Sequence, residues 1–321
     1  MKKRHQGAFN PAHPAPWEIS RGWIEKAMTC EACFWLKKAA NLKEIGIPSF
    51  NINTNTDILL KRDHDQYRGK GPSPIMVSAG LEHLRPFAHP DLELWTDSKQ
   101  FGLSPNHFNT IHEETHILFG GGLDDVFENI ETGELHIVDY KSTSQDGGNK
   151  TEPAPLDESF LMPPEDPKKI DYKAGYRRQA EMYQWIMRRK GFQVSNTAYF
   201  LYVDGISRGL DGMLTDDDPH TAWMRFEAQI IPYVGDDSWV EAALHKAKEL
   251  AQLDECPDHA EDCDTGRWFN EAIRAEKAFK EPLNKPIKQD PLASGRKRKE
   301  MREQAAMESF REFSDWKDGN N

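Results

Sequence analysis

The spacing of apolar and polar residues changes period along the chain, and each change marks an element. From Ser20 to Leu42 (SRGWIEKAMTCEACFWLKKAANL) the apolar positions Ile24, Met28, Phe34 and Leu36 fall at irregular helical spacing. Ser20 stands where it can cap the start, so the stretch predicts a helix. IGIPSFNINTN is rich in Pro and Asn and reads as a loop. A second helix is expected from about Thr56, with Ile58, Leu59 and Tyr67 as apolar contacts, broken by Gly69–Pro74. The stretch from Met76 to Phe108 is loop-rich, with short helical pieces.

From His112 the period shortens to two. ETHILFGG, GLDDVFENI and ELHIVDYKST predict three consecutive strands, and Thr132-Gly133 supplies a hairpin turn between the last two. Ser144 to Pro167 holds several Gly and Pro and reads as a loop. YKAGYRRQAEMYQWIMRRKG then predicts an amphipathic helix closed by Gly191. NTAYFLYVDG and MRFEAQIIPYV read as strands, Ser238 to Leu253 as a helix, and Trp268 to Phe279 as another. The order helix, three antiparallel strands, helix, strand predicts an α/β core, with helices covering a central mixed sheet. A domain over residues 1–280 is expected, with a charged tail over 281–321 that includes the GRKRK run near Arg296.

Within that frame the stretch HIVDYKST carries the first chemical signal. Alternation along a strand puts Ile137, Asp139 and Lys141 on one face and Val138 and Tyr140 on the other. An exposed Asp/Lys pair contributes only about 0–1 kcal/mol, so stability alone is a weak reason for it. If the last two strands form a hairpin, Asp124 of GGLDDV approaches Asp139. Carboxylates that close repel unless a cation lies between them. Lys141 carries one charge; a divalent ion such as Mg²⁺ or Mn²⁺, with hard oxygen ligands, matches the pair better. The Tyr140 carbonyl lies between the two charged side chains and can add a ligand. Such an ion polarises a phosphoryl oxygen and acidifies water, while Lys141 stabilises developing negative charge. Asp125 points to the face opposite Asp124 and reads as a solvated neighbour. On the following helix Gln179 and Tyr183 are four apart and share a face.

These residues resemble the PD-(D/E)XK nucleases, in particular their RecB-like branch, which includes CRISPR adaptation nucleases. Gly121, Leu123, Asp124 and Val126 match G-x-(I/L)-D-x-(V/I); Asp139, Tyr140, Lys141 and Ser142 match D-(Y/F)-K-(T/S); Gln179 and Tyr183 match Q-x-x-x-Y. The similarity spans roughly Thr56 to Val203. It implies a restriction-endonuclease-like core and metal-dependent, exonuclease-type hydrolysis of DNA at ends or single strands, in recombination, repair or mobile-element DNA processing. Asp124, Asp139 and Lys141 would act on the phosphodiester, and Gln179 and Tyr183 would position substrate or the lysine. A nuclease-fold module that binds DNA or a protein without cutting is the alternative. The family usually places a metal-binding His on the helix before the sheet. Here TDILLKRDHDQYR offers Asp57 at that place, with His64 one face round.

Four cysteines form the pairs Cys30/Cys33 and Cys256/Cys263. Some members of the resembled branch hold a [4Fe–4S] cluster between an N-terminal Cys and a C-terminal Cys group, and CEACFWL is similar to their entry segment. Zinc is the other option, with His259 able to replace one thiolate, and free thiols are the third. The formal net charge of −12 argues against a protein that coats nucleic acid by charge alone, yet leaves a nucleic-acid enzyme open. Arg177, Arg178, Arg188 and Arg189 read as a solvated helix face or as phosphate contacts, and Glu113, Glu114 and His116 as exposed strand positions. No apolar run approaches the ~20 residues that cross a bilayer. The basic N-terminus lacks an apolar stretch of signal-peptide type, so a cytoplasmic location is expected.

Overall fold

The strand expected at the chemical centre forms as Leu135–Thr143, and the remaining elements are arranged around it. A computed structural model describes residues 3–43, 51–145, 155–166 and 169–284. In chain order these form β1 (Trp17–Ser20), α1 (Arg21–Thr29), α2 (Glu31–Lys38), α3 (Asn51–Asp65), α4 (Pro74–Ser78), β2 (Leu84–Pro86) and α5 (Leu92–Trp95). Next come β3 (Asn109–His112), β4 (Ile117–Gly120), β5 (Asp125–Asn129), β6 (Leu135–Thr143), α6 (Glu158–Leu161) and α7 (Ala174–Arg189). They are followed by β7 (Thr197–Ile206), β8 (Arg225–Val234), α8 (Val240–Ala251) and α9 (Asp264–Asn284). The chain divides into two units between Gly266 and Arg267. None of the described helices is long and apolar enough to cross a membrane.

The central sheet is mixed, in the order β2-β5-β6-β7-β8. β5 and β6 pair antiparallel as the expected hairpin, turning at Gly133 in the left-handed region (φ +73°). β6 and β7 pair parallel, with α7 as the connecting helix. The strand expected over ETHILFGG departs from the sequence reading. It forms as β4 but joins a separate small sheet, parallel to β1 and antiparallel to β3. Gly120–Gly122 join β4 to β5 close against neighbouring backbone: a side chain on Gly122 would stand 2.7 Å from the Ser98 backbone nitrogen. The third antiparallel strand is instead β2, in the stretch read as loop-rich; it is short and ends at Pro86, which hides it from a period-two pattern.

Other boundaries shift for local reasons. The helix expected from Ser20 to Leu42 splits at Cys30, whose backbone is extended (φ −156°, ψ 105°). The helix expected from Thr56 begins earlier, at Asn51, so NINTN is helical; the Ile45–Phe50 part of the expected loop lies outside the described residues. Glu113, Glu114 and His116 occupy the turn between β3 and β4 rather than a strand, and His116 has φ +53°. The expected tail begins inside α9, which runs to Asn284; GRKRK lies outside the described residues.

β6 is buried on both faces because helices cover both. Ile137 enters one apolar core with Met182 and Ile186 of α7 and Phe200 of β7. Val138 and Tyr140 enter a second core with Met76, Leu84, Phe127 and Leu201. Each such side chain contributes about 1.5–3 kcal/mol on burial, and the period-two alternation therefore sorts residues between two cores rather than between core and water. Asp125 shows the consequence. It is not a solvated neighbour: it is 1% exposed on the second face. Arg68 holds it through two hydrogen bonds of 2.9 and 3.0 Å, and the Tyr140 hydroxyl donates to it at 2.7 Å. His64, also buried, lies 2.7 Å from that hydroxyl. Because the tyrosine proton goes to Asp125, His64 must donate from Nδ1. Burial pushes its pKa down, in keeping with a neutral ring.

A buried carboxylate that loses its only guanidinium partner is left charged in apolar surroundings, which costs about 3–5 kcal/mol. Arg68→Ala is expected to destabilise the fold by that amount in urea titrations. A loss below about 1 kcal/mol, the range of exposed pairs, would show that Asp125 is not held as described.

Candidate functional site

Asp139 sits in mid-β6, on the face covered by α7, and is 2% exposed. Gln179 Nε2 donates to its Oδ1 at 2.7 Å, and the Lys141 ammonium pairs with its Oδ2. Lys141 also donates to the Tyr140 carbonyl at 3.3 Å. This is the face expected for Asp139 and Lys141, and the helix position expected for Gln179. Asp124 lies one residue ahead of β5, a single step beyond the register pair Asp125↔Val138, which places it toward Asp139. Its Oδ2 accepts the Tyr140 backbone N–H at 2.9 Å.

Asp57 completes the group. α3 meets β6 where the Thr56 and Ser142 hydroxyls hydrogen-bond, and Asp57 follows directly. Burial, then the Asp124 charge, push the Asp57 carboxyl up to about 6 against the pull of Lys141 and Lys61. Burial likewise pushes Asp139 up to about 7, with Asp124 adding to it and Lys141 opposing. Burial works against the Lys141 ammonium, but Asp139 and Asp124 outweigh it and hold its pKa above that of an ordinary lysine. Asp124 thus acts on both Asp57 and Asp139 around a single ammonium, that of Lys141. His64 is not among them, since it is engaged on the opposite face.

Tyr183 is buried beneath this group, its ring edge-on to Phe108 at 5.2 Å. A side chain on Gly121 would meet the Tyr183 hydroxyl at 2.9 Å, so the first glycine of the motif makes room for the last residue of Q-x-x-x-Y. Burial raises the Tyr183 pKa, and a hydrogen bond from Arg21 opposes that. Arg21 also acts on Asp139. Sequence reasoning passed over Arg21, although a cation at the first position of a helix opposes the helix dipole and so signals another role. Arg177, Arg178 and Arg188 are partly buried and Arg189 is exposed. They pair with Asp171, Glu25, Asp237 and Glu113 respectively.

Among the described residues, two groups of three or more His, Cys, Asp or Glu have donor atoms that all lie within 4.8 Å of one another. One is Cys30, Cys33, His259 and Cys263, a Cys₃His set able to bind a metal such as Zn²⁺. Cys256 is exposed and hydrogen-bonds to the Pro257 carbonyl, so His259 stands where the sequence pairing put Cys256. The other group is His112, Glu114 and His245, partly exposed. The Asp57, Asp124 and Asp139 carboxylates are more loosely spaced than either. Comparison with protein-family models, curated proteins and solved structures gives no match to this chain. Function therefore has to be argued from these side chains.

The raised acids carry a pH signature. An unfolded Asp ionises at about pH 4, whereas Asp139 keeps its proton up to about 7 in the folded chain. Between those values the folded state binds the extra proton, so its contribution favours folding at the acid end and is lost as pH rises. Asp139→Asn cannot titrate, and its melting temperature is expected to fall less than the wild type's from about pH 5 to about pH 8. Parallel melting curves across that window would rule out a shifted Asp139.

Proposed function

We propose that the chain is a metal-dependent deoxyribonuclease that hydrolyses phosphodiester bonds at DNA ends or in single strands. The observation that carries this reading is the convergence of Asp57, Asp124 and Asp139 on Lys141, with Gln179 fixing one Asp139 oxygen. Among the elements, α3, β2, β5, β6, α7 and β7 give in turn a helix, three antiparallel strands, a helix and a parallel strand, which supports this reading.

The residues fit a hard divalent cation. Asp139 and Asp57 hold pKa values raised by burial and by the charge of Asp124, and a cation relieves that cost as one lysine does not. Asp124, Asp139, the Tyr140 carbonyl and Asp57 are the oxygen donors that would hold Mg²⁺ or Mn²⁺. Bound there, the ion would supply charge stabilisation at phosphorus and a more acidic water. The chain's own contribution follows from the protonation states. Lys141 is held as an ammonium and so cannot take a proton from water; it serves as a fixed positive charge for the phosphoryl oxygens as the P–O bond breaks. Gln179 keeps the Asp139 carboxylate from rotating. Tyr183 and Arg21 back the site from the side of α7 and α1.

One observation favours a second reading, a module that binds DNA or a protein without cutting: Lys141 already pairs with Asp139, and the three carboxylates stand further apart than the Cys₃His donors. Purified protein with Mg²⁺ or Mn²⁺ on labelled single- and double-stranded DNA, and on RNA in parallel, separates the two. Lys141→Ala is expected to bind DNA but to cut roughly 10²–10³-fold more slowly. Wild type and variant behaving alike on every substrate, or no cleavage with either metal, would leave only the binding module.

A further inference from the structure

The Cys₃His group has dimensions that narrow its chemistry, independently of the nuclease reading. The Cys33 and Cys263 sulfurs are 3.5 Å apart. His259 Nδ1 lies 3.4 Å from Cys30 Sγ, 3.7 Å from Cys33 Sγ and 3.7 Å from Cys263 Sγ. With Zn–S of about 2.3 Å and Zn–N of about 2.0–2.1 Å, a regular tetrahedron sets S···S edges of about 3.8 Å and S···N edges of about 3.6 Å. The S···N separations fall on either side of that edge, and the Cys33–Cys263 separation lies a little below the S···S edge. They are too long for a disulfide, whose sulfurs bond at about 2.05 Å. They are too short for a [4Fe–4S] cluster, in which each thiolate binds a different iron at a corner of a cube and the sulfurs are spread well apart.

Local structure is shaped to this group. The α1–α2 break at Cys30 interrupts a stretch whose pattern predicts one helix, and the buried Cys30 and Cys33 both reach His259 from that joint. The Gly266 N–H lies 3.4 Å from the Cys263 sulfur, the type of contact that supports a thiolate. A side chain on Gly266 would come within 2.5 Å of the His259 Cβ, so glycine is required for His259 to stand where it does. The apolar cluster here holds little more than Cys30, Ala32, Cys33, Ala260 and Cys263, too small a core to fix the segment after α8 by itself.

We propose that Cys30, Cys33, His259 and Cys263 bind one Zn²⁺ as a closed tetrahedral S₃N site that clamps the α1–α2 joint to the segment following α8. Four protein ligands leave no open position for water, so the ion is structural rather than catalytic. Cys256 takes no part.

The test uses the full chain, purified without chelator. Elemental analysis is expected to find about one zinc and negligible iron per chain. CoCl₂ exchanged for zinc should give the intense visible bands of tetrahedral Co²⁺ and sulfur-to-cobalt charge transfer. Cys256→Ser should keep the metal, Cys33→Ser should lose it, and EDTA should lower the melting temperature of the wild type. Should Cys33→Ser fail to fold, the cobalt spectra of wild type and Cys256→Ser decide alone. A brown, iron-containing protein, a chain that takes up neither Zn²⁺ nor Co²⁺, or loss of metal in Cys256→Ser would each overturn the proposal. None of these readouts involves cleavage, so a failure here is distinct from a failure of the nuclease reading.

Discussion

A carboxylate buried in the middle of the central strand is the constraint around which the rest is arranged. Asp139 lies almost out of reach of water, and a charge there is tolerated only with partners at hand. Lys141 provides one from the same face of the same strand, and Gln179 provides the other from the covering helix. That second contact fixes the rotation of α7 about its axis, since Gln179 must meet β6 while Met182 and Ile186 enter the core with it. The polar contact and the apolar face thus specify one docking of α7, and the parallel strand β7 follows from it.

The two faces of β6 show how a structural polar network differs from one suited to binding a cation. On one face a single acid, Asp125, meets a two-bonded guanidinium, a tyrosine hydroxyl and, through that hydroxyl, a histidine; every group has its partner. On the other, Asp57, Asp124 and Asp139 surround one ammonium. The first network has no further appetite for charge. In the second Asp57 and Asp139 resist ionising, and the fold has retained that electrostatic imbalance instead of satisfying it with a second arginine. Arg21, at the start of α1, acts on the group only from its margin.

What was legible in the sequence was what short-range periodicity controls. Alternation in HIVDYKST put Asp139 and Lys141 together, and four-residue spacing put Gln179 and Tyr183 on one side of a helix. Sheet membership was not legible, because β4 has the same pattern as a strand of the central sheet while its partners, β1 and β3, are chosen by tertiary pairing. Asp125 was misread for a related reason: alternation assigns a face but says nothing about whether that face is wet, and here Arg68 and α3 cover it. The cysteines were paired by type, whereas space selected His259 over Cys256.

The Cys30 break shows how these parts depend on one another. A continuous helix from Ser20 would hold Cys30 and Cys33, three apart, on one face at the fixed spacing of neighbouring turns. The extended residue at Cys30 ends α1 and restarts the chain as α2, with Phe34 and Ala32 buried and Cys33 beside Cys263. α1 then runs about 13 Å, from nine residues at 1.5 Å each, between two polar centres. At one end Arg21 reaches Tyr183 and the acids; at the other, Cys30 joins the Cys₃His group. Midway, Glu25 takes Arg178 of α7 in a two-bonded ion pair, which resists sliding along the helix axis. A helix pinned at its end and at its middle has little freedom left at its start. The position of Arg21 beside the acids is therefore a property of the whole N-terminal assembly and not of the residues next to it.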